Sequence, residues 1–320
     1  MTADTHGWTD VPYPDWEDIE EIRRLLDAGA DPERLAYGGA RPLHLAALFG
    51  SPEVVAELAR RVSDVDALEN GTTALWEAVV GGRTENARVL VAAGADPEWA
   101  GFGGWTPARL SLAGPEPDLF PGAGPALTDA ERAVAEEGRR LTSALGSPCI
   151  EGYGLACVAG IDAEEAIRRL AVTPADPEFI AELLECSWEF ELDEVLPFVG
   201  VTDVPGGCVV AQPWGFAPQR PVAMRLLSEG TLAYGLYANP ASGNQGCVYR
   251  NGTCEGWDLH PGGGPGADET PEQVLFSYVY TLKAVHYCFA YTGLRPVDAR
   301  SVTGRPDHWG ELPERDYYAS

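Results

Sequence analysis

Five histidines and seven cysteines are the side chains best suited to chemistry in this sequence, and their spacing gives little support to any. His286 and Cys288 lie two residues apart in a segment with helical periodicity. Two apart on a helix means different faces, so they cannot form a nucleophile–base dyad there. Cys186 or Cys288 could meet His260 or His308 only through the fold, which no spacing specifies. The cysteines at 149, 157, 186, 208, 247, 254 and 288 are odd in number, contain no C-x-x-C pair and form no cluster with histidine at zinc distances. Cys247 and Cys254 flank Asn251-Gly252, a dipeptide that favours a type I′ hairpin. Pairing across that turn sets Tyr249 opposite Cys254 and Cys247 opposite Gly256. The two thiols are then diagonal on one face, which is poor disulfide geometry. Reduced, buried cysteines are expected.

Glu182, Glu185, Glu189, Glu191, Asp193 and Glu194 form an acidic run with Trp188 and Phe190 between them. A general acid would need one of these buried with a raised pKa. The density of charge predicts a solvated, partner-facing surface instead. Gly262-Gly-Gly-Pro-Gly266 lacks the strand–turn–helix setting and the lysine of a phosphate loop. Nothing matches the serine-hydrolase elbow, the His-Glu-x-x-His zinc helix or a calcium loop. The expectation is a non-enzyme with no catalytic residue, cofactor or metal. The alternative is an enzyme of unknown reaction with its site in the C-terminal half, in a deep pocket holding His260 with Tyr or Cys neighbours.

The elements that would position any site are written more clearly. Arg41-Pro-Leu-His44-Leu-Ala-Ala47 returns as Thr73-Ala-Leu-Trp76-Glu-Ala78 and again as Thr106-Pro-Ala-Arg109-Leu. Gly29-Ala-Asp31, Val62-Ser-Asp64 and Gly94-Ala-Asp96 keep the same beat. A period near 33 with these phrases resembles the ankyrin repeat. The resemblance implies two antiparallel helices and a projecting finger per unit, and a protein-binding surface. Pro42 and Pro107 suit a first helical turn, and Thr73 and Thr106 suit caps. Gly50 and Gly82 are read as helix ends that tolerate positive φ. His44 matches the family's histidine, which makes structural hydrogen bonds at the base of the repeat. Trp76 replaces it in the next unit, either as core or on the concave face. His44, Gly50, Thr73, Gly82, Gly94, Thr106 and Pro107 are thus the structural signature.

The array reads as a half-repeat cap (an amphipathic helix over residues 15–28), two full repeats and a partial third that fades after Leu112. That is near the minimum of about three repeats for stability, so a cap from the following domain or its leading helix is expected. In ankyrin proteins partners meet the finger tips and inner helices. Those places are residues 35–40, 68–70 and 99–105, with Tyr37, Leu68, Glu69, Asn70, Trp76, Trp99, Phe102 and Trp105 as candidate contacts. Aromatic side chains on glycine-rich loops suit hot-spot anchoring, and the alternative is that at least one tryptophan of this finger tucks against the C-terminal domain.

Residues 114–127 read as a Pro/Gly-rich linker, and Thr128-Asp-Ala-Glu131 as the capping box of a connecting helix, the segment 128–146. Beyond it, strands are expected at 153–159, 207–212, 231–238, 246–250 and 253–259. Helices are expected at 162–170, 179–186 and 221–228, with one long helix over 271–291. Val158-Ala-Gly-Ile-Asp162-Ala-Glu-Glu-Ala-Ile-Arg-Arg-Leu170, Leu227-Ser-Glu-Gly230 and Thr292-Gly-Leu294 resemble an uncharacterised α+β domain family common in actinobacteria, which implies a fold and no chemistry. The fold class expected is multidomain, α and α+β: a short ankyrin-repeat solenoid over 1–113, then an α+β domain with an antiparallel sheet over 147–320.

With 320 residues, 45% hydrophobic and 22% charged, the chain has room for two domains with proper cores. Its net charge is −27, shared by both halves: 21 acids against 9 bases up to Phe120, and 28 against 13 beyond. Such charge repels phosphate backbones and anionic lipids, so neither nucleic acid nor membrane is an expected partner. It favours a basic protein partner, and an immunity or antitoxin-like masking role is the sharper form of that expectation. No apolar run approaches the roughly 18 residues of a membrane span. The first residues lack a signal peptide's basic start and apolar core, so a cytoplasmic location is expected.

Overall fold

The computed structural model describes residues 7–8, 11, 13–36, 39–186 and 190–318. Its contacts divide the chain into two units, Met1–Ala135 with Gly264–Thr281, and Glu136–Gly263 with Leu282–Ser320.

The first unit begins with a 3-10 turn, Tyr13–Glu17, and helix α1 (Ile19–Asp27). The single helix expected over 15–28 is split because the Asp18 carboxylate accepts the Glu20 and Glu21 amides and caps a new start. Trp16, buried in the 3-10 turn, stacks on Trp8 at 5.8 Å. Two helical hairpins follow, α2 (Pro42–Phe49) with α3 (Pro52–Ala59) and α4 (Ala74–Val80) with α5 (Thr84–Ala92), then the short α6 (Pro107–Ser111). Thr73 and Thr106 cap as expected, their hydroxyls accepting the Trp76 and Arg109 amides at 3.2 and 3.1 Å. Ala46, Ala47 and Ala78 are fully buried, which lets the inner helices approach closely. Asn86 on α5 locks the register between repeats, its amide donating to the carbonyls of Ala46, Ala47 and Gly50 at 3.0–3.3 Å.

Gly82 and Gly94 adopt positive φ, but Gly50 does not, with φ at −83°. Gly50 is required for another reason: a Cβ there would stand 2.7 Å from the Ala46 carbonyl oxygen and 3.0 Å from that of Trp16.

Helix α7 (Asp129–Leu145) opens with the expected capping box, Thr128 and Glu131 exchanging hydrogen bonds. The second unit is an eight-stranded antiparallel sheet in the order β2-β8-β3-β4-β1-β5-β6-β7. In chain order its elements are β1 (Gly154–Ala159), α8 (Ala163–Leu170), β2 (Thr173–Pro174), α9 (Pro177–Cys186), α10 (Leu192–Val195), β3 (Phe198–Val204), β4 (Gly207–Gln212), α11 (Pro221–Leu227), β5 (Leu232–Asn239), β6 (Gly243–Arg250) and β7 (Thr253–Leu259). The chain then contributes α12 (Pro271–Val279) to the first unit, and returns with α13 (Ala284–Thr292), α14 (Arg300–Thr303) and β8 (His308–Glu311). Strand β1 is buried on both faces, which is why it reads as a continuous apolar run. One face packs on α8 and α11 through Ala166, Leu170, Met224 and Leu227.

Two expectations fail here. The long helix over 271–291 is broken between Val279 and Ala284, where Leu282 sits at φ +60° and its amide donates to the Gly262 carbonyl at 2.7 Å. The β6–β7 hairpin keeps Tyr249 opposite Cys254, but a register shift beyond it sets Cys247 against Trp257 rather than Gly256. Cys247 is buried in the core beside Tyr249 while Cys254, opposite Tyr249, is exposed; the two thiols share a face but sit diagonally, and both are free.

Candidate partner-binding face

The second finger ends in a tight turn in which Asn70 and Gly71 both take positive φ and Glu69 pairs with Thr72. That geometry projects Leu68, half exposed, and Asn70, exposed. Glu69 instead folds back, its carboxylate accepting the Arg41 amide and lying 3.9 Å from His44 Nδ1. It serves the preceding repeat as a brace. Burial holds the His44 ring below the ordinary histidine range, so it is neutral at pH 7. Its Nε2 lies 3.1 Å from the Thr72 carbonyl, the structural bond the resemblance implied.

Beside this brace, burial pushes the Glu77 carboxyl on α4 up, and the Glu69 charge pushes it further. Thr72 Oγ1 lies 2.7 Å from Glu77 Oε1 and 2.9 Å from the Glu69 carbonyl. The Thr72 hydrogen bond to Glu77 works against that rise.

The third finger corrects the sequence reading. Trp76 and Trp105 are each 1% exposed, so neither offers a contact surface. Phe102, half-buried, meets Trp76 edge-on at 5.7 Å, and Trp99 is half-buried as well. The Arg109 guanidinium lies 4.2 Å from the Trp105 ring centre, and Trp105 Nε1–H donates to the Pro271 carbonyl at 2.8 Å. Pro271 and Val274 of α12 pack within about 3 Å of where a Gly103 Cβ would stand, and the Tyr278 hydroxyl packs on Gly114. The chain's own α12 thus occupies the place the sequence assigned to a partner. Helix α7 assists at the same end, Glu131 accepting two bonds from Arg109 at 2.8 Å. No local pattern at 99–105 announces either helix. Tyr37 lies outside the described residues.

The face that stays open is that of the first two fingers, where Leu35 and Leu68 are about half exposed. The finger segments carry Asp31, Glu33, Asp64, Asp66, Glu69, Asp96 and Glu98 against Arg34 and Arg41. Some of these carboxylates stitch neighbouring fingers together. Glu33 accepts the Ser63 amide at 2.6 Å, and both Asp66 oxygens accept the Asp96 amide at 3.1 Å. The Ser63 bonds lower the Glu33 pKa. Asp66 is pushed up, by burial first and then by the Asp96 and Asp64 charges.

Among the described residues the groups proposed for catalysis do not converge, and the Cys186 side chain lies outside them. His260 is exposed, with Nδ1 3.0 Å from the Asn244 carbonyl. Cys288 is fully buried, which pushes its thiol far up and leaves it inert. A cavity of about 850 Å³ in the second unit contains no histidine in its lining. Glu182, Glu185, Glu191 and Glu194 are exposed, while Trp188, Glu189 and the Asp193 side chain lie outside the described residues. Phe190 packs on Phe179 at 5.4 Å. Among the described residues no group of three or more His, Cys, Asp or Glu could hold a metal ion. Among them, too, no helix is long and apolar enough to cross a membrane.

Residues 16–98 match the family model described as ankyrin repeats (3 copies), and no family model covers the C-terminal part. No curated protein matches the chain.

Proposed function

From the ankyrin repeats of residues 16–98, a protein–protein interaction module, we propose a non-catalytic adaptor whose first two fingers capture a basic protein. One observation carries this reading: the finger segments hold seven carboxylates against two arginines. The Asp66 and Glu77 carboxyls are pushed up because no cation offsets their burial and their acidic neighbours. A lysine or arginine from a partner would relieve that crowding. The exposed apolar tips Leu35 and Leu68 would supply the contact area that charge alone does not.

Charge of this sign steers encounter more than it adds affinity, which suits rapid masking of a basic toxin in an immunity-like role. The six described cysteines are unpaired, in keeping with a reducing, cytoplasmic setting. The test is affinity capture at low and high salt, followed by kinetics on the recovered partner. A basic partner is expected, lost at high salt. Its association should slow about tenfold when Asp64, Asp66 and Asp96 are replaced together by asparagine. An acidic partner, or association indifferent to salt and to these substitutions, would overturn the reading.

A further inference from the structure

The cavity of about 850 Å³ in the second unit has a use that is independent of the repeats. One wall is a face of α9, where Pro177, Ala181 and Leu184 follow helical spacing. The same helix already buries Leu183 in a small core with Val195. It therefore has two apolar sides, one closed by protein and one open to the cavity, where Leu184 is 52% exposed.

Trp309 of β8 also lines the cavity, stacked on Trp214 at 5.6 Å and nearly parallel to it. Trp214 donates its indole N–H to the Val195 carbonyl at 2.7 Å. The Trp309 Nε1–H is buried with no acceptor among the described residues.

Arg305, also in the lining, is exposed, and no carboxylate pairs with it among the described residues, although acids outnumber bases 49 to 22 in this chain. Asp307, two residues on, is held by Arg300 and by the Asp203 amide at 2.9 Å. Glu151 lines the cavity too and disfavours a ligand with a second negative charge.

We propose that this cavity binds a small apolar monocarboxylic acid. The chain or ring lies along α9 and the Trp309 ring, and the acid group meets Arg305. The volume falls in the range of roughly 300–1,000 Å³ usual for small-molecule sites.

Cys149, an exposed free thiol in the cavity lining, reports on occupancy, with exposed Cys254 as the internal control. The full chain is alkylated with N-ethylmaleimide in the presence of octanoate or octanol, and each peptide is followed by mass spectrometry. Octanoate should slow labelling of Cys149 saturably and leave Cys254 unchanged. Octanol should bind about tenfold more weakly, the size of one charge-assisted hydrogen bond. Arg305→Gln should bring octanoate down to the level of octanol, and Leu184→Asp should abolish protection by both. Both replaced residues are exposed, and an unchanged melting curve confirms that the variants fold. Labelling of Cys149 that ignores octanoate overturns the site. Equal protection by octanoate and octanol overturns the assignment of an acid.

Discussion

Trp105 joins the last finger to a helix 166 residues further along the chain, and its removal should be felt there first. Its side chain is 1% exposed, donates to the Pro271 carbonyl at 2.8 Å and lies under the Arg109 guanidinium. Trp105→Ala should cost about 3–5 kcal/mol, the range for deleting a buried tryptophan. Trp105→Phe keeps most of the apolar area and loses the N–H bond, worth about 1 kcal/mol, with part of the cation–π contact, worth about 0.5–1 kcal/mol. A chain of two units need not unfold in one step, so a single global midpoint is the wrong readout. Native-state hydrogen exchange followed by peptide mass spectrometry reads the effect locally. Amides of α12 should lose protection in both variants, more in alanine than in phenylalanine, while β1 and β4 keep theirs. Unchanged α12 protection in Trp105→Phe would refute the idea that the indole bond anchors that helix.

Two further outcomes follow from buried polar groups. Burial, reinforced by Lys283, lowers His286 from 6.5 to about 4. The folded state holds the ring neutral, so as pH falls from about 6.5 to 4 the unfolded chain takes up the proton first and stability is lost across that window. At about 1.4 kcal/mol per unit the loss is at most about 3 kcal/mol. Urea titration of His286→Gln should show a flatter acid limb, and parallel curves for the two proteins would refute this. Asn86→Ala strips the donor from three carbonyls at the end of α2 and should destabilise the repeats by about 2 kcal/mol. Hydrogen exchange in α2 and α5 measures it, and unchanged rates would dismiss Asn86 as a lock.

What could be read from the sequence divides by range. Thr73, Thr106 and Thr128 cap where they were expected because a cap needs only its next three residues. Asn251-Gly252 made the hairpin legible for the same reason, while the extra residue Glu255, which shifts the register between Val248 and Tyr249, was not placed although Gly256 stands beside it. The break between α12 and α13 was equally silent. Leu282 is forced to positive φ by tertiary context, and the apolar stripe runs through it unbroken. Strand β3 alternates Val199 and Val201 into the core, yet its place in the sheet comes from pairing with β4 and β8. Trp76 and Trp105 were named among the finger contacts, and both are buried. Their role was inverted because the helix that covers Trp105 is distant in sequence, and no period or composition reports such a contact.

The first unit takes its closing segment, Gly264–Thr281, from beyond the greater part of the second unit. On the ribosome that order becomes a delay. With 166 residues between Trp105 and Pro271 and synthesis at about 5–20 residues per second, the last finger waits roughly 10–30 s for its covering helix. Throughout that interval the nascent repeats show an aromatic surface that the finished protein conceals. A chaperone that reads aromatic surface can engage it only then.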